Sequence, residues 1–170
     1  MGKGLVHIYT GDGKGKTTAA IGVAVRCAGH GNKVCIYQFL KGMPSGEIDS
    51  LARLNIALIR VNSSDKFYPY MTDDEKRLTC DEIKNTLKTL FSNPCDLVIM
   101  DEIICAVDLG IVNIKTLIDI IKNKPQHTEL IMTGRNMPDE LLKYTDYVSE
   151  VKCIKHPYNN GIDARCGIDF

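Results

Sequence analysis

The chain has 170 residues, of which 44% are hydrophobic and 25% charged, enough for one domain with its own core. Lys plus Arg and Asp plus Glu each number 21, so net charge is zero, which argues against a nucleic-acid partner and against an anionic membrane surface. Seven cysteines, with no Cys-x-x-Cys spacing, fit free thiols in a reducing cytosol better than a disulfide framework. No apolar run approaches the roughly 20 residues needed to span a bilayer, and the first residues show no apolar signal-peptide stretch. These features predict a cytoplasmic protein with one domain over residues 1–170.

Residues 5–9 form a short β-rich run, and a glycine-rich turn follows. Residues 17–30, rich in small side chains, read as a helix able to pack closely on a sheet, with Gly29 and Gly31 as breakers. Residues 33–39 predict a second strand, and a loop marked by Gly42, Pro44 and Gly46 comes next. A short helix is expected at 47–53 and a third strand at 56–61. Residues 62–71, polar and aromatic, read as a loop. Thr72-Asp73-Asp74-Glu75 matches a capping box. It opens a predicted helix to about Phe91, with Leu78, Ile83, Leu87 and Leu90 on its buried face. Further strands are predicted at 97–100, 129–132 and 147–154, with helices at 113–122 and 138–144. The tail from His156 has no clear period. Strands alternating with helices, several of them apolar on both faces, predict an α/β fold. The expected architecture is P-loop NTPase-like and three-layered, a mostly parallel sheet with helices on both faces.

The strongest chemical signal lies between the first strand and the first helix. Thr10-Gly11-Asp12-Gly13-Lys14-Gly15-Lys16-Thr17-Thr18 approximates G-x-x-x-x-G-K-[ST], with Thr10 where the pattern has its first glycine. Glycines let the backbone wrap phosphate oxygens, and its N–H groups form an anion nest. The helix adds its positive N-terminus. Lys16 supplies a point charge, Lys14 a second cation, and the Thr17 hydroxyl a Mg²⁺ ligand. The bland alternative is a glycine-rich turn with solvated lysines; the strand before it and the helix after it favour the phosphate reading. A second signal is the apolar run 97–100 ending in Asp101 and Glu102. Ligands of open α/β sheets bind at such strand ends, and carboxylate oxygens suit Mg²⁺.

These two signals fit kinases, ATPases and GTPases alike. Further segments narrow the choice: Gln38-Phe39-Leu40-Lys41-Gly42 with Gly46-Glu47, Gly29-His30-Gly31, Thr133-Gly134-Arg135, and the tail from Lys155 to Phe170. Together with the loop and the Met100-Asp101-Glu102 segment, they resemble the ATP:corrinoid adenosyltransferases, from about Val6 to Phe170. The resemblance implies a P-loop fold, a homodimer, ATP as co-substrate with Mg²⁺, and a corrinoid acceptor. It also implies a flavoprotein electron donor that supplies Co(I). In such enzymes Co(I) attacks the ribose 5′ carbon and the whole triphosphate leaves. By the same analogy Glu102 is the favoured metal ligand. The chain begins almost at its first strand, so the extension some members fold over the site is not expected.

The remaining candidates keep two readings each. Phe67, with Tyr68 and Tyr70, either lies against a corrin face, where it excludes water or an axial ligand, or packs onto the domain or the partner subunit. Lys41 is grouped with the nucleotide-binding residues. Glu47 either contacts the nucleotide or is a first-turn acid. Arg135 either binds phosphate or ribose, or forms a fixed ion pair. His7 is expected to bond locally, His156 to be structural, and Cys27 to lie in the core.

Overall fold

The computed structural model describes residues 2–62 and 64–170. Met1 and Ser63, the latter within the expected loop 62–71, lie outside the described residues. Six strands form one all-parallel sheet: β1 (Val6–Thr10), β2 (Val34–Phe39), β3 (Ala57–Val61), β4 (Leu97–Asp101), β5 (Glu129–Thr133) and β6 (Tyr147–Glu150), in the order β3-β2-β4-β5-β1-β6. The helices are α1 (Lys16–Gly29), α2 (Glu47–Arg53), α3 (Asp73–Lys88), α4 (Ile103–Asp108) and α5 (Ile114–Asn123).

The strand sequences explain the layering. Every residue of β2 and β4 is buried, as a strand covered on both faces requires. Val34 and Ile36 point to one face, where Ala20 and Ala24 of α1 and Leu51 of α2 pack. Cys35, Tyr37 and Phe39 point to the other, against Ile83 and Leu87 of α3, Ile103 and Ala106 of α4, and Leu117 of α5. Two cores on two faces give the expected three layers. Alanines one turn apart on α1 allow its close approach to the sheet.

The predicted capping box is present: Glu75 N donates to Thr72 Oγ1 at 3.3 Å, and Thr72 N donates to Glu75 Oε2 at 2.7 Å. The buried face of α3 is Thr79, Ile83 and Leu87, a strict four-residue spacing. Leu78, expected on that face, is exposed, and Leu90 is buried in the turn beyond the helix end. Residues 138–144 form a 3₁₀ turn, Asp139–Tyr144, instead of an α-helix. The last strand stops at Glu150 and lies exposed at the sheet edge. His7 does not bond locally. Its Nε2 meets Glu129 Oε1 at 2.5 Å, and its ring stacks on Tyr147 with centroids 4.6 Å apart. His156 does have a structural role, its Nδ1 accepting from Tyr158 N at 3.2 Å. No helix among the described residues is long and apolar enough to cross a membrane.

Because all strands run the same way, Thr10, Phe39, Asp101 and Thr133 end on one edge of the sheet. The loops that carry most of the sequence signals open there.

Candidate active site

The glycine-rich loop leaves β1 and turns into α1. At Gly11 the backbone has φ +102°, and a side chain would collide with the Val151 carbonyl, so glycine is required on both counts. Lys16, the first residue of α1, is only 7% exposed. Its Nζ curls back to donate to Gly13 O at 2.8 Å, so the ammonium sits over the loop instead of in solvent. The amides of Lys16, Thr17 and Thr18, in the first turn of α1, have no acceptor among the described residues. This leaves them as anion donors at the positive end of the helix. Gly13 N donates to Val151 O at 2.8 Å, so that amide serves the chain and not the nest.

The Asp12 carboxylate turns away from the loop centre and accepts from Cys153 N at 3.0 Å. That amide lowers its pKa from the ordinary value, against a smaller opposing effect of burial, and Arg135 and Lys16 add to the lowering. Lys14 forms an ion pair with Asp169 in the C-terminal tail.

Behind the loop stands Asp101, 1% exposed at the end of β4. Its Oδ1 accepts from Thr17 Oγ1 at 2.8 Å and from Thr133 Oγ1 at 2.7 Å. Its Oδ2 accepts from Gln38 Nε2 at 3.4 Å and lies 3.3 Å from Lys41 Nζ. Gln38 Nε2 also donates to Glu47 Oε1 at 3.2 Å, which lies 3.6 Å from Lys41 Nζ. Two carboxylates therefore share one amide and one ammonium. Burial alone would raise the Glu47 carboxyl. Its own backbone amide, Ser45, Gln38 and Lys41 outweigh that and hold it below its usual range. Gln38 Oε1 is buried with no partner among the described residues.

Glu102 follows Asp101 in a left-handed backbone conformation, φ +64°, of the kind that strained functional segments keep. Its amide donates to Thr133 Oγ1 at 2.9 Å. Of the two acids, Asp101 is the one that meets Thr17. Glu102 lies instead beside Cys105, whose thiol is pushed up to about 12 by burial and by the Glu102 charge. That thiol accepts from Arg135 N at 3.2 Å. The intervening Gly134 has φ +148° and no room for a side chain, since a Cβ would lie 2.7 Å from Cys105 N. The Arg135 side chain is exposed and makes no ion pair among the described residues.

The segment leading into the aromatic loop passes beside Gly42, where a side chain would collide with the Ser64 carbonyl. Phe67 is 67% and Tyr70 78% exposed, whereas Tyr68 is half-buried and its hydroxyl lies 3.6 Å from Cys80 Sγ. Within the chain, Tyr68 packs onto the domain, while Phe67 and Tyr70 stay uncovered.

A sequence model of the family described as ATP:corrinoid adenosyltransferase BtuR/CobO/CobP matches residues 2–170. The chain belongs to the ATP:corrinoid adenosyltransferase family. It is 31% identical over 170 residues to the corrinoid adenosyltransferase of Escherichia coli K12, covering 99% of this chain and 86% of that protein. To corrinoid adenosyltransferase CobA of Salmonella typhimurium LT2 it is 32% identical with the same coverage. Among solved structures it is similar to the cytoplasmic domain of EssC, with a TM-score of 0.56 and 19% identity. It is also similar to EssC ATPases 2 and 3 from Geobacillus thermodenitrificans, with a TM-score of 0.54 and 19% identity. It covers 98% of its own length but about a third of those chains, 34% and 35%. That likeness shows the α/β fold they share with this adenosyltransferase-family chain and nothing of their activity.

Thr133, Gln38 and Cys105 escaped the residue-level assignment. Gln38 carried a signal all the same, as the one polar side chain in an otherwise apolar strand.

Proposed function

We infer that the protein does what its family does and transfers the adenosyl group of ATP to a corrinoid. The finer reading we propose is attack by a Co(I) corrinoid on the ribose 5′ carbon, with departure of the intact triphosphate. Co(I) is itself a strong nucleophile, so the protein needs no base to activate it. Its tasks are to hold the carbon in line and to stabilise charge on the leaving group.

The observation that carries this reading is the mismatch between donors and bases at the loop. The three free amides of residues 16–18 and the Lys16 ammonium face one anion site. The buried acid beside them, Asp101, is already engaged by Thr17, Thr133, Gln38 and Lys41, so it is not poised to deprotonate a nucleophile. Such a site suits a triphosphate that leaves as one unit.

The donor set also fits Mg²⁺. The Thr17 hydroxyl gives its hydrogen to Asp101, which leaves its lone pairs free for a cation. No group of three or more His, Cys, Asp or Glu residues that could hold a metal ion by itself occurs among the described residues. Mg²⁺ keeps several waters and is held by one or two protein oxygens together with phosphate oxygens. Thr17 would hold it, with Asp101 orienting that hydroxyl and Glu102 as the neighbouring carboxylate. The ion, when bound, spreads the negative charge of the triphosphate.

In the same reading Lys41 and Glu47 contact the nucleotide and Arg135 the phosphates, while Phe67 and Tyr70 meet the corrin. A homodimer and a flavoprotein donor of electrons complete it on family resemblance, and a cytoplasmic location and a single domain over residues 1–170 on length and composition. The test is purified protein with ATP, Mg²⁺ and a chemically reduced corrinoid, followed by phosphorus NMR. Triphosphate with a changed corrinoid spectrum is expected, and ADP would contradict it.

A further inference from the structure

The last residues of the chain fold back onto the phosphate loop. Lys14 Nζ pairs with Asp169 Oδ1 and donates to Ile168 O at 3.2 Å. The other oxygen, Asp169 Oδ2, accepts from Arg165 N at 2.9 Å and Arg165 Nε at 3.0 Å. The hydrogen bond from Lys14, then those from Arg165, hold the Asp169 carboxyl well below the usual carboxylate range. This approach is not a chance contact of a loose end. Upstream, the same tail is tied to the loop by Gly13 N to Val151 O at 2.8 Å and by Cys153 N to Asp12 Oδ1 at 3.0 Å.

We propose that Asp169 is an internal anion that takes Lys14 when no triphosphate is in the loop and yields it when triphosphate binds, so that its return to Lys14 speeds product release. The inference rests on the reading that Lys14 binds triphosphate. Serving both anions at once is costly for Lys14: a carboxylate within ion-pair reach of its ammonium would lie against phosphate oxygens of like charge. The product is a polyanion seated on lysines and free amides, which is the hardest kind of leaving group to let go. A competing carboxylate on the same chain lowers that barrier without entering the chemistry. The side chains of Lys14 and Asp169 are 48% and 20% exposed. Exposed pairs are weak, strong enough to compete for one contact and too weak to shut ATP out.

The experiment measures inorganic triphosphate binding to the full chain by calorimetry, and its dissociation rate, in Asp169→Asn, Asp169→Glu, Lys14→Ala and the double variant Lys14→Ala/Asp169→Asn. Asp169→Asn should bind triphosphate about two- to fivefold more tightly, the scale of an exposed ion pair, and release it more slowly by the same factor. Asp169→Glu should stay close to the unaltered chain. Without Lys14 the Asp169→Asn effect should vanish. A merely structural tail contact would give unchanged or weaker binding in Asp169→Asn, and either result overturns the proposal. The same tightening in the absence of Lys14 overturns it too. Lys14→Ala leaving triphosphate affinity untouched would instead remove the assignment of Lys14 on which the inference stands.

Discussion

The Thr17 hydroxyl donates to Asp101 Oδ1 at 2.8 Å, joining the first turn of α1 to the end of β4 across 84 residues of sequence. The bond fixes the direction in which the hydroxyl's lone pairs face, which a bound cation would need. Thr17→Ala and Asp101→Asn are each expected to raise the Mg²⁺ concentration for half-maximal activity, by about ten- to a hundredfold, the usual scale for an orienting partner of a metal ligand. Glu102→Gln measured alongside separates a direct carboxylate ligand from a neighbour. Ordinary Mg²⁺ dependence in all three variants would put the metal elsewhere.

Lys16→Ala should cost adenosyl transfer on the order of a hundredfold, the loss typical of one preorganised electrostatic contact. A solvated loop lysine would contribute little to stability, but this one is buried and bonded to Gly13 O. Its removal should therefore also lower stability by about 1 kcal/mol. Turnover near that of the unaltered chain, with thermal melting as the control for folding, would remove the loop from the mechanism.

The parts of the site legible in the sequence are those written in a short span. Gly15-Lys16-Thr17 is a spacing, and Asp101-Glu102 is an acid pair at the end of an apolar run. The hydrogen bonds that make Asp101 what it is come from Gln38, Thr133 and Thr17, which lie on elements far apart in the chain, so local reading saw Asp101 and Thr17 and not the cluster. The helix α4 has six residues, too few to show a period, and directly follows the strained Glu102. Leu78 was placed on the wrong face of α3 because it neighbours Thr79, and a buried threonine gives no apolar signal. The tail's docking depends on backbone groups of residues 151 and 153 and on an ion pair 155 residues apart, which no local pattern encodes.

Phe67 offers an apolar face to solvent. If it meets the corrin and excludes an axial ligand, Phe67→Ala should slow reactions that begin from Co(II) more than reactions given Co(I), because a cobalt with fewer ligands is easier to reduce. An additional role in exposed packing would affect both assays alike. Rates from the two oxidation states, compared in one preparation, decide between them.

The aromatic loop is tied to α3 through Glu75, which accepts from Thr72 N and pairs with Lys66 at 2.9 Å. The Thr72 amide first, then Lys66, pull the Glu75 carboxyl from 4.5 to about 2. A depressed carboxyl contributes stability above its unfolded pKa and loses it as pH falls through the folded one. This contribution should be complete above about pH 4.5 and fade towards about pH 2. Glu75→Gln should therefore be less stable than the unaltered chain at pH 7, with the difference shrinking through that window in acid titrations followed by circular dichroism. A difference independent of pH would contradict the assignment.

The central claim is that the bond broken lies at the 5′ carbon of ATP and not at its γ-phosphorus. The most direct measurement replaces ATP by its β,γ-methylene analogue, which blocks hydrolysis at the γ position and leaves the ester to the 5′ carbon intact. Mixed with protein, Mg²⁺ and a chemically reduced corrinoid, this analogue should support formation of a cobalt–carbon bond, read from the corrinoid spectrum, with release of the methylene triphosphate. Demonstrated binding of the analogue without any transfer, together with ADP as the product from ATP itself, would contradict the account.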